Sequence, residues 1–316
     1  MMSKLSKVGI IGAGNVGATI AYALVLLHTC DAVVIFDRTF DKAAAQAWDI
    51  EDTIPLLSAI EVTPTDRYEE LANCDVIVVT VSVAKKSGES RLNQLGDNAE
   101  IIRSTVQELD RVAPNAVVIL VSNPVDVLTR IAIETSARSS NLIFGSGTAL
   151  DTARLSYQLG HHLGVNSRAV NAYVIGEHGD SEFVLWSSAS IGAIALSAFP
   201  MPDAIAFEQL KQQLTDETRQ RGYKIGKRKG NTSYGVGTVV VQLIDAVLRD
   251  QKQLFTVSVA AHADYGIGDE VVLGLPCLIG QRGIEQNLVI PRDVNEQQAL
   301  VVSANRLKQA YDSFQG

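Results

Sequence analysis

The sequence is short of cysteine, and its three cysteines, Cys30, Cys74 and Cys277, are widely spaced with no Cys-x-x-Cys pair. An odd number of isolated cysteines in apolar surroundings argues against a disulfide framework and against a redox pair. We therefore expect three reduced, buried thiols with a structural role. A chain of 316 residues can bury a large core without disulfides and is long enough for about two domains.

Long apolar runs and an excess of positive charge are also missing. No apolar run approaches the ~20 residues that a membrane-spanning helix needs. The N-terminal residues lack the apolar core and cleavage site of a signal peptide. The formal net charge of −8 argues against a nucleic-acid-binding surface. These absences predict a cytoplasmic protein that binds neither membranes nor nucleic acids.

The first half of the chain alternates apolar runs with helical patterns. Continuous Val/Ile/Leu runs at 76–80 and 117–121 predict strands that are buried on both faces, as in a parallel sheet covered by helices. The predicted strands are 8–11, 32–36, 61–63, 75–81, 116–122 and 142–144, and the predicted helices between them are 15–27, 41–52, 91–112 and 125–136. This order predicts an α/β fold with a doubly wound parallel sheet of about six strands.

The alternation ends near residue 146. The second half has predicted helices at 150–163, 203–219, 234–249 and 295–314, and predicted strands at 169–175, 254–260, 270–278 and 283–290. The stretch between 176 and 202 is read as irregular. We therefore expect two domains, residues 1–146 with the parallel sheet and residues 147–316 with a mixed α+β substrate domain.

A Gly-Ala-Gly-Asn-Val-Gly segment at 12–17 directly follows the first predicted strand, and a helix begins within it. Gly12 permits a tight turn, Gly14 lets the backbone approach a pyrophosphate, and Gly17 lets the helix pack on the strand. Phosphates would lie against the N–H groups at the positive end of the helix dipole. Asp37 ends the next strand, twenty residues after Gly17, where a carboxylate can accept hydrogen bonds from both hydroxyls of an adenosine ribose.

This context predicts a Rossmann-type, NAD-binding domain rather than a glycine turn that merely joins two elements. The Asp37 carboxylate would repel a 2′-phosphate, which favours NAD over NADP. FAD enzymes share the glycine motif, but the sequence has no second flavin signature. It also lacks the Gly-x-x-x-x-Gly-Lys-Ser/Thr loop of phosphate-binding NTPases.

Four segments carry polar residues that packing does not require, at 85–91, 121–126, 150–154 and 176–181. The first two follow the fourth and fifth strands, at the carboxyl edge of the sheet, where doubly wound folds bind ligands. Reduction of a 2-keto acid needs an acid for the nascent alkoxide, a clamp for the carboxylate and a donor that polarises the carbonyl. The four segments supply side chains for all three roles.

Each of these side chains also has a simpler explanation when it is taken alone. Asn123 can cap the next helix, and Asp151 can close a capping box with Thr148. Arg154 can pair with Asp151 on one helix face, and a histidine such as His178 is commonly structural. Only the combination of all of them favours the catalytic interpretation.

Four motifs in order make the sequence similar to the L-lactate/L-malate dehydrogenase family along essentially its full length. They are Gly-Ala-Gly-Asn-Val-Gly at 12–17, Val-Ser-Asn-Pro-Val-Asp at 121–126, Gly-Thr-Ala-Leu-Asp-Thr-Ala-Arg at 147–154 and Ile-Gly-Glu-His-Gly-Asp-Ser at 175–181. The resemblance implies a cytoplasmic, glycolytic, NAD-dependent oxidoreductase that forms a homodimer or homotetramer. It also identifies the sheet domain as the cofactor domain and residues 147–316 as the catalytic domain.

The resemblance implies a role for each matching residue. His178 would be the proton donor and acceptor, Asp151 would hold its imidazole and raise its pKa, and Arg154 would bind the substrate carboxylate as a bidentate pair. Asn123 would hydrogen-bond the C2 oxygen, and Arg91, on a closing loop, would polarise the carbonyl. The cofactor residues implied in the same way are Gly12, Gly14, Asn15, Val16, Gly17, Asp37, Thr80, Ser122 and Asn123.

The residues that select the substrate depart from the family pattern. The family reads the substrate side chain six residues before the polarising arginine, with Gln in lactate enzymes and Arg in malate enzymes, and this chain has Lys85 there. A cation would welcome a second carboxylate, but Lys85 is also able to extend into solvent. Thr232 resembles the small-pocket threonine of lactate and broader 2-hydroxy-acid enzymes. We rank L-lactate first, a relaxed L-2-hydroxy-acid enzyme second and malate third.

Two further departures from the family carry expectations. The family usually has Thr-Ala-Gly after the fourth strand, whereas this chain has Thr80-Val81-Ser82, which removes backbone freedom beside the cofactor. Lactate dehydrogenases activated by fructose bisphosphate have an arginine and a histidine at the positions of Ser156 and Asn171. Without those cations we expect no activation by fructose bisphosphate.

The main alternative from another class is a non-enzymatic NAD-binding protein on the same fold. A decayed enzyme would be expected to lose at least one of His178, Asp151, Arg154 and Arg91, and all four are present. We expect no metal site, because no His/Cys/Asp cluster shows ligand spacing.

Overall fold

The structure is a computed structural model that describes residues 5–57, 59–83, 91–200, 204–268 and 271–315. The strands are β1 (Lys7–Ile11), β2 (Ala32–Phe36), β3 (Glu61–Thr65), β4 (Val76–Val79), β5 (Val117–Leu120), β6 (Ile143–Gly145), β7 (Val170–Asn171), β8 (Val174–Ile175), β9 (Phe183–Val184), β10 (Ser190–Ile191), β11 (Ile194–Ala195), β12 (Gln253–Ala260), β13 (Val272–Gly280) and β14 (Gly283–Asn287). The helices are α1 (Asn15–Leu26), α2 (Phe40–Glu51), α3 (Arg91–Val112), α4 (Val125–Thr135), α5 (Ala149–Leu163), α6 (Ala204–Lys229), α7 (Tyr234–Leu248) and α8 (Val294–Gln315).

One nine-stranded sheet forms the centre of the molecule, in the order β14-β13-β12-β6-β5-β4-β1-β2-β3. β1 to β6 are parallel, which confirms the predicted doubly wound sheet of six strands. β12, β13 and β14 come from the second half of the chain and extend the sheet in antiparallel pairs. Because the sheet continues past residue 146, the division of the chain into two domains at that point stays a prediction.

The central strands lie between helices and are buried on both faces. All four residues of β4 are fully buried, in agreement with the continuous apolar run that predicted this strand. The three cysteines are free and buried, as expected. Burial raises the pKa of Cys30 and of Cys277 to about 12, so both thiols stay protonated at neutral pH.

The second half differs from the predicted elements in two places that border the site. The strand predicted at 169–175 is divided into β7 and β8, and the stretch predicted as irregular contains the short strands β9, β10 and β11. α6 continues ten residues beyond its predicted end at 219, to Lys229. Gly230, with φ 89°, follows it in the left-handed conformation that commonly ends helices.

None of the described helices combines the length and the apolar character that crossing a membrane requires.

Candidate active site

The predicted cofactor loop lies at the carboxyl edge of the parallel strands. It joins β1 to α1, and the residues that follow β4 and β5 lie beside it because neighbouring parallel strands end at the same edge. Thr80 shows this contact directly, since its hydroxyl donates to the carbonyls of Ile11 and Gly12, each at 3.1 Å. The topology therefore brings three distant segments of the chain to one ligand-binding edge.

Two glycines of this loop, Gly12 and Gly17, lie against neighbouring atoms, whereas Gly14 does not. A Cβ on Gly17 would lie 1.9 Å from the carbonyl oxygen of Gly12, so α1 packs directly on the loop. Gly12 has φ 108°, and a Cβ there would lie 2.7 Å from the hydroxyl of Thr80. A Cβ on Gly14 would meet no atom of the described residues within 4 Å. The backbone at Gly14 therefore faces open space, as an approaching pyrophosphate requires.

Asp37 lies one residue beyond β2 and contacts the same loop. Its carboxylate accepts hydrogen bonds from the backbone N–H of Ala13 (3.1 Å) and of Thr39 (3.0 Å). The group is partly exposed, so its remaining lone pairs are available to ribose hydroxyls. Ser122 differs: its side chain is buried, and its hydroxyl proton is already donated to the carbonyl of Val81 rather than available to a cofactor.

A cavity of about 630 Å³ opens between the cofactor loop and the second half of the chain. It brings together Val16, Asn123, Asp151, Arg154, His178 and Thr232, six of the residues singled out in the sequence. The other lining residues are Val121, Ser146, Gly147, Leu150, Gly179, Glu182, Arg219, Gly222, Tyr223, Val236 and Val239. The helix after Asn123 has no side-chain cap, so the capping explanation of this residue is wrong.

The centre of the cavity holds a chain of three charged side chains. Nδ1 of His178 lies 2.7 Å from Oδ2 of Asp151, and Nη1 of Arg154 donates to Oδ1 of the same carboxylate at 2.8 Å. Asp151 is 1% exposed, and its two oxygens serve the two cations rather than the helix end. Thr148 makes no side-chain cap and donates instead to the carbonyl of Val174, so the capping-box explanation of Asp151 is wrong.

The electrostatics of this chain of contacts favour a protonated histidine. Burial acts to lower the pKa of His178, but the charge and the hydrogen bond of Asp151, with smaller effects of the charges of Asp126 and Glu182, outweigh it and raise the pKa to about 9. Burial acts to raise the pKa of Asp151, while His178 and Arg154 hold it below its ordinary value. The imidazole can therefore carry a proton at neutral pH, as an acid catalyst of reduction must.

A second carboxylate fixes the backbone of the histidine. Asp126, at the start of α4, accepts a hydrogen bond from the N–H of His178 at 2.7 Å and another from the hydroxyl of Ser258 at 2.6 Å. Burial raises the pKa of Asp126 to about 6, although these two hydrogen bonds oppose the shift. The histidine is thus held through its ring by α5 and through its backbone by α4.

Glu182 and Arg219 also line the cavity, although no sequence motif predicted them. Glu182 is 4% exposed, and Nη2 of Arg219 donates to its backbone carbonyl at 2.8 Å. Arg219 was the last residue of the predicted helix, so the wall that α6 adds to the cavity was not anticipated. One signal was available for Glu182, since an acidic side chain directly precedes the apolar residues of β9.

The side chains of Asp151, His178 and Glu182 have ligand-type atoms within 4.8 Å of one another. Chain spacing alone did not indicate this cluster, and the expectation that the protein has no metal site stays a prediction. The adjacent guanidinium of Arg154, 2.8 Å from Asp151, opposes the binding of a metal cation there. Lys85 and the side chain of Arg91 lie outside the described residues.

Comparison with known proteins gives the same relationship for both halves of the chain. A family model described as the lactate/malate dehydrogenase NAD-binding domain matches residues 6–145, and one described as the lactate/malate dehydrogenase α/β C-terminal domain matches residues 148–315. An L-lactate dehydrogenase of Thermus aquaticus is 41% identical over 305 residues, covering 96% of this chain and 98% of that protein. One of Allorhizobium ampelinum is 39% identical over 308 residues, covering 96% and 97%. A solved lactate dehydrogenase from a Medee basin deep-sea metagenome library superimposes with a TM-score of 0.95 at 33% identity, covering 99% of this chain and all of that one.

Proposed function

Because this chain belongs to the lactate/malate dehydrogenase family and is an NAD-dependent oxidoreductase, we propose that it interconverts pyruvate and L-lactate. The single observation that carries this proposal is the Asp151–His178 contact of 2.7 Å inside the cavity that also contains Arg154. A proton donor and a carboxylate-binding cation at the same site are what a 2-keto acid requires.

The described residues fit the cofactor. Bound NAD supplies or accepts the hydride. The open face of Gly14 and the N–H groups at the start of α1 would hold the pyrophosphate, and Asp37 would hold the adenosine ribose. Val16 lines the substrate cavity, so the loop that holds the phosphates directly borders the place where substrate binds.

The side chains of the cavity bind the substrate carboxylate and transfer the proton. Arg154 uses one nitrogen for Asp151 and has further N–H donors for the substrate carboxylate. Nδ1 of His178 faces Asp151, which leaves Nε2 to deliver a proton to the C2 oxygen during reduction and to remove it during oxidation. Asp151 does not take this proton; it stabilises the imidazolium and fixes the ring orientation.

Other residues named in the sequence complete the site in this proposal. Asn123 donates to the C2 oxygen, and Thr232 limits the size of the substrate side chain; both line the cavity. Arg91 polarises the carbonyl, and Lys85 replaces the glutamine of lactate enzymes without creating a malate site.

We also propose that the enzyme is a cytoplasmic homodimer or homotetramer. The assembly is supported by large apolar side chains that are exposed along α2 and just after it. Trp48 is 62% exposed and Leu56 is 84% exposed. Patches of this kind commonly mark interfaces. Size-exclusion chromatography with light scattering measures the molar mass in solution, and the mass of a monomer would contradict the proposed assembly.

The substrate assignment is tested by oxidation of NADH with pyruvate, oxaloacetate, 2-ketoisocaproate and phenylpyruvate at equal concentrations. We expect pyruvate to have the highest kcat/KM. A matched variant, Lys85→Gln, should leave the value for pyruvate within about threefold and lower that for oxaloacetate about tenfold, since one charge contact is worth roughly 1–2 kcal/mol.

The possible outcomes separate the competing assignments. If kcat/KM is highest for oxaloacetate, the charge of Lys85 determines specificity. If it is highest for a branched or aromatic keto acid, the protein is the relaxed 2-hydroxy-acid enzyme. Binding of NADH with no keto-acid reduction would identify a non-enzymatic NAD-binding protein.

A further inference from the structure

We propose that Glu182 makes keto-acid binding depend on a proton: the cavity accepts the substrate anion while the Glu182 carboxyl is neutral and rejects it once that carboxyl ionises. Glu182 is thus a specificity-determining group for the charge of the substrate. This inference rests on the proposed function, because it requires that the substrate brings a carboxylate into the cavity.

The position of Glu182 is the first support. It lines the same cavity as Arg154 and His178. A carboxylate oxygen of Glu182 lies within 4.8 Å of a carboxylate oxygen of Asp151 and of a ring nitrogen of His178. Its Oε1 atom is buried and has no hydrogen-bond partner among the described residues. A buried polar atom without a partner, on the wall of a substrate cavity, is a group whose interactions are completed or opposed by the ligand.

The balance of charge is the second support. Among the described side chains, the cavity has the cations of Arg154, Arg219 and protonated His178, and the carboxylate of Asp151. Nη1 of Arg219 lies 3.5 Å from Oδ1 of Asp216, so Asp216 offsets the charge of Arg219. Asp151 contacts both remaining cations, His178 and Arg154, and Asp126, which accepts from the backbone N–H of His178, adds a second negative charge above its pKa of about 6. Because these charges already balance, the substrate carboxylate would bind to Arg154 against repulsion from an ionised Glu182.

The protonation of Glu182 in the folded chain agrees with this reading. Burial and the nearby charge of Asp151 raise its pKa to about 8, against the opposing effects of His178, Arg219 and Arg154. The neutral form therefore predominates below pH 8 and the ionised form above it. Substrate binding should be unaffected by this group at pH 7 and should weaken as the pH rises beyond 8.

The test is the pH dependence of the KM for pyruvate, measured from pH 6 to 10 at saturating NADH. In the unmodified enzyme we expect a constant KM below pH 8 and a rise that approaches tenfold per pH unit above it, as for loss of one required proton. Glu182→Gln, an isosteric and uncharged variant, should keep a constant KM until His178 loses its own proton, and this should occur below pH 9 because the charge of Glu182 helps to raise the pKa of His178 to about 9. The pH dependence of kcat should follow His178 in both proteins.

Two matched variants separate titration from packing. Glu182→Asp keeps a carboxyl group and should keep the rise of KM between pH 8 and 9, whatever its effect on the absolute KM. Asp180→Asn removes an exposed carboxylate from the same loop, paired with Arg306, and should leave the pH profile of KM unchanged.

A binding measurement provides a second readout. Titration calorimetry of the NADH complex with oxamate, an analogue of pyruvate in which an amino group replaces the methyl group and which is not reduced, gives the proton uptake when it is repeated in buffers of different ionisation enthalpy. At pH 8.5 the unmodified enzyme should take up at least ~0.5 proton more than Glu182→Gln. Equal uptake and parallel KM profiles would overturn the inference while leaving the proposed function intact. Failure of the unmodified enzyme to reduce pyruvate at any pH would overturn both.

Discussion

Arg154 and Asp151 lie one helical turn apart on α5 and share an ion pair of 2.8 Å. The substrate clamp and the group that orients the proton donor are therefore attached to the same rigid helix. Because Asp151 also contacts His178 at 2.7 Å, a change at either end of this chain of contacts alters the other end.

Replacing Asp151 by asparagine should remove the charge that keeps His178 protonated. The pKa of His178, about 9 in the folded chain, should fall toward its ordinary value of 6.5, because burial lowers it and only the smaller effects of Asp126 and Glu182 would remain to raise it. Reduction of pyruvate needs the protonated form, which predominates below the pKa, so activity should disappear at a lower pH than in the unmodified enzyme. We expect kcat/KM for pyruvate at pH 7 to fall by roughly 10²–10⁴-fold, the range of general acid–base catalysis.

Full pH profiles of kcat/KM for Asp151→Asn and the unmodified enzyme measure this effect. Asp180→Asn, in the exposed part of the histidine loop, serves as the matched control and should change the profile little. An unchanged alkaline limit in Asp151→Asn would mean that Asp151 does not control the protonation of His178.

Replacing Arg154 by lysine should weaken substrate binding without loss of charge. Lysine presents a single ammonium and cannot form two parallel hydrogen bonds to a carboxylate while also contacting Asp151. Loss of a charged hydrogen bond is worth about 1.5–3 kcal/mol, which corresponds to a rise of KM for pyruvate of roughly tenfold to 150-fold. Steady-state kinetics measure KM, and the Kd for NADH should stay the same. A KM within twofold of the original value would show that Arg154 does not bind the substrate.

The sequence was sufficient to predict the six parallel strands of the sheet because the relevant signals are local. Continuous apolar runs identified β4 and β5, and the helix predicted at 91–112 agrees with the bounds of α3. The attachment of β12 to β6 could not be predicted, because it joins Ser258 to Gly145 across 113 positions of chain. A strand pair this distant has no periodic signature in either segment.

Some residues of the candidate site were likewise predictable from the sequence and others were not. Asp151, Arg154 and His178 belong to recognisable motifs, and the structure brings them together in one cavity. Glu182 and Arg219 belong to no motif that the sequence analysis used. Their place in the cavity depends on the course of the loop after β8 and on the extra length of α6, which are consequences of tertiary packing rather than of local pattern.

Fructose bisphosphate should not activate the enzyme. An activator with two phosphates needs cations, and the two positions in question have a serine, Ser156, and an asparagine, Asn171, whose side-chain amide donates to the hydroxyl of Ser190 and the carbonyl of Gly192. We expect less than a twofold change in kcat/KM for pyruvate with millimolar fructose bisphosphate. Tenfold stimulation would contradict this prediction and would indicate a different set of cations.

Replacing Gly14 by alanine should separate cofactor binding from folding. A Cβ at this position would meet no atom within 4 Å in the part of the chain that the structure describes, and the backbone there, with φ −80° and ψ −175°, is accessible to alanine. The protein should therefore fold with a Tm within a few degrees of the original. The added methyl group would occupy the space that the pyrophosphate approaches, so we expect the Kd for NADH, measured by fluorescence titration, to rise at least about tenfold. Gly226→Ala is the matched control, since its Cβ would also meet nothing within 4 Å but lies on α6, and it should leave NADH binding unchanged. If both variants bound NADH equally well, the pyrophosphate could not lie against Gly14 and the assignment of the cofactor loop would be wrong.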